Sequence, residues 1–390
     1  MNTLSQAVDR LYRQIRPTLV KYGEQLCRHR PWLRNVLLHG DRTADLIKHK
    51  IAVLVPQVIR PEPRSLFIAI TADCNFACKG CHYGRDFMHG YQLSLDVVLR
   101  VLDDAKEAGF SRIRFYGGEP LAHKDLPKMI KHANELGLKH WITTNGLLLR
   151  KQIDALYDSG AREISLGYYG GSASVYDAYV QREGAHRIVE KGVAYTREKY
   201  GDTVNLNLAW VLMQPTCNLE AIDELWRFAE KYRLPIGVNL IQYSLPYFLQ
   251  SHDPKWESEA LGFAETDRAR INAVVADLIQ RRERNMELLP QPVMTLRSIP
   301  DWLIKGPAMK VPCMSRRLIW VGADGTVQMC YVTFKLGNLH KNRLRDMLFT
   351  DAHRQAARDA YNLDCPNCNC SYDSRVMAHG QSRKAYSGHL

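Results

Sequence analysis

SLFIAITADCNFACKGC, residues 65–81, decides the fold: an apolar run at 65–71 delivers the chain straight into a loop carrying Cys74, Cys78 and Cys81. A short run rich in apolar residues and ending at a loop reads as a buried strand. The cysteines follow C-x3-C-x2-C spacing. Three thiolates on one short loop hold three irons of a cubane cluster and leave the fourth iron without a protein ligand. An open metal position is where a substrate or cofactor binds, whereas a structural site is closed. Zinc knuckles pair their cysteines as C-x2-C or C-x4-C, and this loop has no fourth ligand nearby. Zinc is nevertheless the alternative reading of the loop taken alone.

About one βα unit further on, a second apolar strand, RIRF (112–115), runs into YGGEP (116–120). Gly117 and Gly118 carry no Cβ and admit a close backbone approach to a ligand. Glu119 offers a carboxylate for a charge-assisted hydrogen bond from an ammonium group. Taken together, the cysteine loop and this segment resemble the radical S-adenosylmethionine family, which carries C-x3-C-x2-C after its first strand and a GGEP-like motif after its second. The resemblance implies that Cys74, Cys78 and Cys81 ligate a [4Fe–4S] cluster. Its open iron would chelate the amino and carboxylate groups of S-adenosylmethionine, with Gly117, Gly118 and Glu119 holding the methionine part. Reductive cleavage in that family gives methionine and a 5′-deoxyadenosyl radical, which abstracts hydrogen from a C–H bond. The chain departs from the pattern at Gly80, where the family has an aromatic residue near the adenine. Tyr83 or a residue of a later strand is expected to supply that contact.

Strand-like runs recur downstream with helical patterns between them: KHWITTNG (139–146), REISLGY (162–168), TVNLNLAWVL (203–212) and PIGVNLI (235–241). Alternation of this kind predicts an α/β fold of parallel strands with right-handed crossovers. Six strands fit the partial (β/α)6, TIM-like barrel of the family, with its site at the C-terminal strand ends. Thr144 and Asn145 close the third strand and are expected to touch the cofactor, although Asn145-Gly146 also reads as a turn. Ser165 is a candidate ribose contact. Tyr168 and Tyr169, at the mouth of the fourth strand, and Tyr243, after the sixth, are candidate catalytic residues; Tyr247 is a further substrate contact. Asn205 and Asn207 share one face of the fifth strand. Cys217 reads as an isolated buried thiol.

A second cysteine group follows residue 310. Cys313 precedes Gly325-x4-Cys330, and CPNCNC (365–370) comes later. ADG (323–325) divides two strand-like runs as a hairpin does, aiming Cys330 back toward Cys313. This arrangement resembles the SPASM and twitch auxiliary-cluster extensions of the same family. Full SPASM domains carry seven cysteines and this region has five, so the resemblance implies one auxiliary [4Fe–4S] cluster on Cys313, Cys330, Cys365 and Cys368, with Cys370 as a substitute. A structural zinc site is the competing reading.

The domain organisation predicted is a helical N-terminal extension (1–60), the barrel (61–300), the cysteine-rich auxiliary domain (301–372) and a flexible tail (373–390). Leu4, Val8, Leu11, Ile15 and Leu19 recur at helical spacing, which predicts an amphipathic helix. The second helical stretch, 33–54, is apolar on one side. Of the 390 residues 46% are hydrophobic, yet no run approaches the ~18–20 apolar residues of a membrane span. The polar N-terminus lacks a signal-peptide core. Ten cysteines in a long chain of this kind read as metal ligands rather than disulfides, which points to the cytoplasm. The formal charge of +12 favours an anionic substrate, an acidic peptide, an anionic membrane face or a flavodoxin- or ferredoxin-like reductant; nothing points to nucleic acid. The function expected is hydrogen abstraction leading to oxidative modification of a small metabolite. A maturase of ribosomal peptides is the alternative, and a non-catalytic iron–sulfur or zinc protein is the rival from another class.

Overall fold

The structure, a computed structural model, describes residues 47, 51–52, 54–242, 261–313, 315–330 and 334–388. The helix expected over Leu4–Leu19 and the candidates Tyr243 and Tyr247 lie outside the described residues.

Strands β1 (Ser65–Thr71), β2 (Arg112–Gly117), β3 (Lys139–Thr144), β4 (Glu163–Tyr168), β5 (Asn205–Leu212) and β6 (Ile236–Leu240) pair in parallel, each with the next in sequence. Helices α1 (Leu95–Glu107), α2 (Leu126–Glu135), α3 (Leu149–Asp158), α4 (Ala173–Val180), α5 (Ala185–Tyr200) and α6 (Leu219–Tyr232) form the crossovers. Their starts follow local chemistry. Ser94 accepts from the Val97 amide, Ser172 from Val175 and Asn218 from Ala221, so each side chain satisfies a donor that the helix leaves orphaned.

Alternation along the strands sorts residues between two faces. Leu66, Ile68, Ile113, Phe115, Ile142, Ile164, Leu206, Leu208 and Trp210 are completely buried in the core. Their neighbours Phe67, Arg114, Trp141, Thr143, Ser165 and Asn207 are half-buried and line the concave side. There they contact one another: Phe67 meets Trp141 edge-on at 5.3 Å, Arg114 Nε donates to Thr143 Oγ1 at 2.8 Å, and Ser165 Oγ donates to Asn207 Oδ1 at 2.8 Å.

The chain continues through α7 (Arg268–Arg284) and α8 (Val293–Lys305) to β7 (Leu318–Val321), β8 (Thr326–Met329) and β9 (Phe334–Asn338), then α9 (Leu344–Met347), α10 (Asp351–Asn362), α11 (Tyr372–Ala378) and α12 (Gly380–Ala385). β7 pairs in parallel with β1, and β8 and β9 follow antiparallel, giving one sheet in the order β6-β5-β4-β3-β2-β1-β7-β8-β9. The cysteine-rich region thus shares the barrel's sheet: β1 would otherwise present an unpaired edge, and β7 covers it. The boundary expected at 300 falls inside α8. The tail is also structured from Tyr372 to Ala385, because Val376 is fully buried and the Tyr386 hydroxyl donates to Asp301 Oδ2 at 2.8 Å.

His353 on α10 is completely buried, its Nδ1 accepting from the Phe349 amide at 3.1 Å. Burial pushes its pKa down to about 3 from 6.5. The imidazole is therefore neutral in the fold but protonates near pH 6.5 in the unfolded chain. Its contribution to stability is complete above that pH and is lost as pH falls, at about 1.4 kcal/mol per unit. Between pH 6.5 and 5 the loss amounts to about 2 kcal/mol. Urea titrations at the two pH values should show this difference in the native chain and a correspondingly smaller one in His353→Gln; equal differences would mean that the ring protonates in place.

Candidate functional site

The loop after β1 brings the three cysteines together at the C-terminal edge of the sheet. Cys74 is exposed, while Cys78 and Cys81 are half-buried. Burial pushes the thiols of Cys78 and Cys81 above their ordinary range, so metal loading must displace protons. Arg85 ties the loop by donating to the carbonyls of Ala77, Cys78 and Cys81 at 3.4, 3.3 and 3.0 Å. Asn145 Nδ2 points at Cys74 Sγ at 3.7 Å and donates to Asn75 Oδ1 at 2.7 Å. Sequence reasoning missed Arg85. Its position four residues after the last cysteine, on a turn too short to reach far, was the available signal.

The glycines of the second motif prove necessary for the protein's own packing. Gly117 has φ +144°, and a Cβ on Gly118 would stand 2.3 Å from the carbonyl oxygens of Ala72 and Asp73. Instead the Gly118 amide donates to Thr71 O and the Glu119 amide to Asp73 O, both at 2.8 Å. Here the close approach is between β2 and the cysteine loop. Glu119 is completely buried, with three donors on its carboxylate: Thr144 Oγ1 at 2.6 Å, the Leu121 amide at 2.9 Å and the Asn145 amide at 2.8 Å. Burial raises its pKa to about 7 in spite of these bonds. Glu119 thus links the ends of β2 and β3. Thr144 is committed too, since its hydroxyl donates to Glu119 and accepts from the Gly146 amide at 3.0 Å.

Tyr168 does not face the concave side. It is 1% exposed, stacks on Phe228 and shares a hydrogen bond with His186 Nε2 at 2.8 Å, within the helical layer. Tyr169, one residue on, points the other way; its hydroxyl lies 2.5 Å from where a Cβ on Gly167 would stand, and its ring stacks on Tyr179 at 4.9 Å. Gly80 is explained by the same aromatic group, because a Cβ there would stand 3.1 Å from the Tyr179 hydroxyl and 3.5 Å from Ile241 Cδ1. Tyr83 turns away to the hairpin, where its hydroxyl accepts from the Ala323 amide at 3.2 Å and its ring packs against Trp320. Ser165 lies on the concave wall, bonded to Asn207. Asn205, two residues before Asn207 at the start of β5, is exposed.

Cys313, Cys330, Cys365, Cys368 and Cys370 all line one cavity with Asn367 and Arg375. Cys370 hydrogen-bonds Cys368 and lowers the Cys368 pKa to about 7. This second site sits against the end of β6: Asn369 Nδ2 donates to Ile241 O at 2.8 Å and the Tyr372 hydroxyl to Val238 O at 2.9 Å. Ile241 therefore touches both cysteine groups' surroundings, Gly80 on one side and Asn369 on the other. Arg375 was not anticipated from the sequence. It is 1% exposed, and every acceptor that it reaches among the described residues is neutral. A buried charge without an ionic partner is costly, and a thiolate-bound cluster in the cavity would supply that partner. Arg316, also fully buried, reaches the Cys313 carbonyl at 3.5 Å. Closed zinc sites place four sulfurs about 2.3 Å from one point. Among the described residues no three His, Cys, Asp or Glu side chains converge on a single ion.

Comparisons with known proteins agree. The sequence model of the Radical SAM superfamily matches residues 68–228, and that of SPASM, an iron-sulfur cluster-binding domain, matches residues 313–370. Residues 68–228 are a radical S-adenosylmethionine superfamily region, and residues 313–370 a SPASM region. The chain's cofactors are accordingly a [4Fe–4S] cluster with S-adenosylmethionine and an auxiliary iron–sulfur cluster. A probable GTP 3′,8-cyclase of Methanococcus maripaludis is 37% identical over 107 residues, 27% of this chain and 36% of that protein. A PqqA peptide cyclase of Rhodopseudomonas palustris is 32% identical over 138 residues, 35% of this chain and 37% of that one. The chain thus matches little more than a third of each relative's length. Streptococcus suis SuiB bound to precursor peptide SuiA shares the fold at TM-score 0.58 and 19% identity, over 80% of this chain and 70% of that one. So does anSMEcpe with bound AdoMet and Kp18Cys peptide, at TM-score 0.57 and 17% identity, over 77% and 84%. Among the described residues no helix is long and apolar enough to cross a membrane.

Proposed function

We propose that this chain abstracts hydrogen from a small organic substrate on the concave side of the barrel and carries the reaction through to a net oxidation. The observation that carries this reading is the pairing of a three-cysteine loop, on which Cys74 is exposed, with a second cavity lined by five cysteines, with Ile241 packed between their surroundings. Cys74, Cys78 and Cys81 would hold the first cluster, and four of the five C-terminal cysteines the second. With S-adenosylmethionine bound, the first cluster supplies one-electron cleavage of the sulfonium and so a hydrogen-abstracting radical. The auxiliary cluster would supply a one-electron acceptor. The chain's own residues position the chemistry: Arg85 fixes the loop, Asn145 holds Cys74, and Gly118 allows β2 to lie against the cysteine segment. Tyr169 and Tyr179 wall the loop against water.

Arg114, Thr143, Ser165 and Asn207 offer a compact polar wall, which favours a small polar guest. A peptide substrate is the second reading, favoured by the PqqA peptide cyclase likeness and the +12 charge. A flavodoxin- or ferredoxin-like protein would supply the reducing electron, and a reducing cytoplasm would preserve the clusters.

The test leaves the substrate aside. The triple variant Cys74→Ala/Cys78→Ala/Cys81→Ala should retain about four irons and four sulfides with a [4Fe–4S] spectrum, and adding Cys313→Ala and Cys330→Ala should remove them. A triple variant holding zinc or no metal would sink the oxidative reading. Substrate class is read from 5′-deoxyadenosine formation above the uncoupled rate. Stimulation by the low-molecular-mass fraction of a cell extract supports a metabolite, and stimulation by its peptide fraction alone supports the second reading.

A further inference from the structure

The buried arginine of the auxiliary site has a role that charge and geometry define together. Arg375 lies on α11, five residues beyond the last cysteine of CPNCNC, and its side chain lines the cavity that the five cysteines share. Nε donates to Val311 O at 3.0 Å, Nη1 to Cys368 O at 2.5 Å and Nη2 to Asn367 Oδ1 at 2.8 Å, with Val311 O taking a further bond from Nη2. Trp302 covers the guanidinium at 4.7 Å. A guanidinium has five N–H donors; these bonds use four of them. The N–H left over is on Nη1, the nitrogen already anchored to the Cys368 backbone. No carboxylate among the described residues pairs with Arg375, so its charge is not cancelled locally.

A cubane cluster on four thiolates carries about two negative charges when oxidised and about three when reduced. A fixed buried cation favours the more negative state, and the low dielectric of the interior strengthens the effect. We propose that Arg375 is the positioning residue that raises the reduction potential of the auxiliary cluster through its uncancelled charge, with one Nη1 hydrogen left over for a sulfur acceptor. An electron acceptor needs this property, so the residue suits the site to receive an electron. The inference rests on the reading of this cavity as an auxiliary cluster site.

The experiment is a mediated redox titration of the full-length chain in the Cys74→Ala/Cys78→Ala/Cys81→Ala background, where only the auxiliary cluster contributes to the electron paramagnetic resonance signal. Iron and sulfide are counted first. A background protein without a cluster would remove the underlying reading, and the arginine with it. Where the cluster is present, Arg375→Gln should lower the reduced-to-oxidised ratio at a fixed potential by about tenfold, a shift of about 59 mV for one electron. Arg375→Lys, which keeps the charge, should restore most of the native value. If Arg375→Gln fails to hold the cluster, Asn367→Asp is read instead. It sets one carboxylate oxygen against Nη2 and the other against the carbonyls of Pro307 and Met309, which Asn367 Nδ2 now bonds at 2.6 and 2.7 Å; where iron and sulfide are retained, the potential should fall as well. A full iron complement with a native potential in the neutral or neutralised variant would overturn the proposal while leaving the auxiliary cluster in place.

Discussion

Replacing Cys74, Cys78 or Cys81 singly with alanine should reduce formation of 5′-deoxyadenosine from S-adenosylmethionine and dithionite to background. A cubane held by three thiolates has no spare protein ligand, so losing one leaves two irons without a protein ligand. The nearest candidates for rescue do not serve. Cys217 is completely buried in the core, and the remaining described cysteines are committed to the auxiliary cavity. Loss of an outer-shell partner already costs roughly 10–100-fold in metal affinity or activity; loss of a ligand should exceed that. Anaerobic reconstitution followed by chromatography of the nucleoside decides the matter. A single variant that still yields product at a rate within that range would show that the loop does not hold the reactive cluster. The same variants should keep the auxiliary cluster's spectrum, which separates loss of one site from loss of the fold.

The second large effect is expected at Glu119. In Glu119→Ala three buried donors, Thr144 Oγ1 and the amides of Leu121 and Asn145, lose their acceptor. Each unsatisfied group costs about 1–3 kcal/mol, so the link between β2 and β3 should fail together with binding of S-adenosylmethionine. Glu119→Gln is the more telling change, because it keeps the shape and one acceptor but turns an NH2 group toward a donor. Hydrogen bonds to charged groups contribute about 1.5–3 kcal/mol, so loss of one from the ammonium of S-adenosylmethionine to this carboxylate corresponds to roughly ten- to a hundredfold weaker binding. Calorimetric titration of the reconstituted variant with S-adenosylmethionine, set beside a urea titration of its stability, gives both numbers. Native affinity with intact iron content would show that these strand ends do not position the cofactor.

How much of this was legible in advance depends on the range of the interaction. The cysteine spacing, the order of the six parallel strands and the hairpin at ADG are local patterns, set by apolar periodicity and by turn residues whose partners lie close in sequence. Parity along β4 was legible too. Ser165 and Tyr169 share a face, so Tyr168 had to take the other, and naming both tyrosines as candidates passed over that alternation. The glycine pair was read as making room for a ligand because a sequence shows that a Cβ is missing and not which carbonyl fills the space.

Tertiary structure alone decided the rest. The pairing of β7 with β1 joins residues some 250 positions apart, and the Tyr83 hydroxyl meets the Ala323 amide across 240. No local propensity encodes such contacts, which depend on an open strand edge finding its cover. Burial is likewise collective. Glu119 and Arg375 are charged side chains, usually exposed, and nothing in their own segments announces that the fold encloses them. The sequence by itself determined which atoms are available to bind iron. Only the folded chain decided which charges stand beside them in a low dielectric, because that depends on how the sheet and the last helices close over residues distant in sequence.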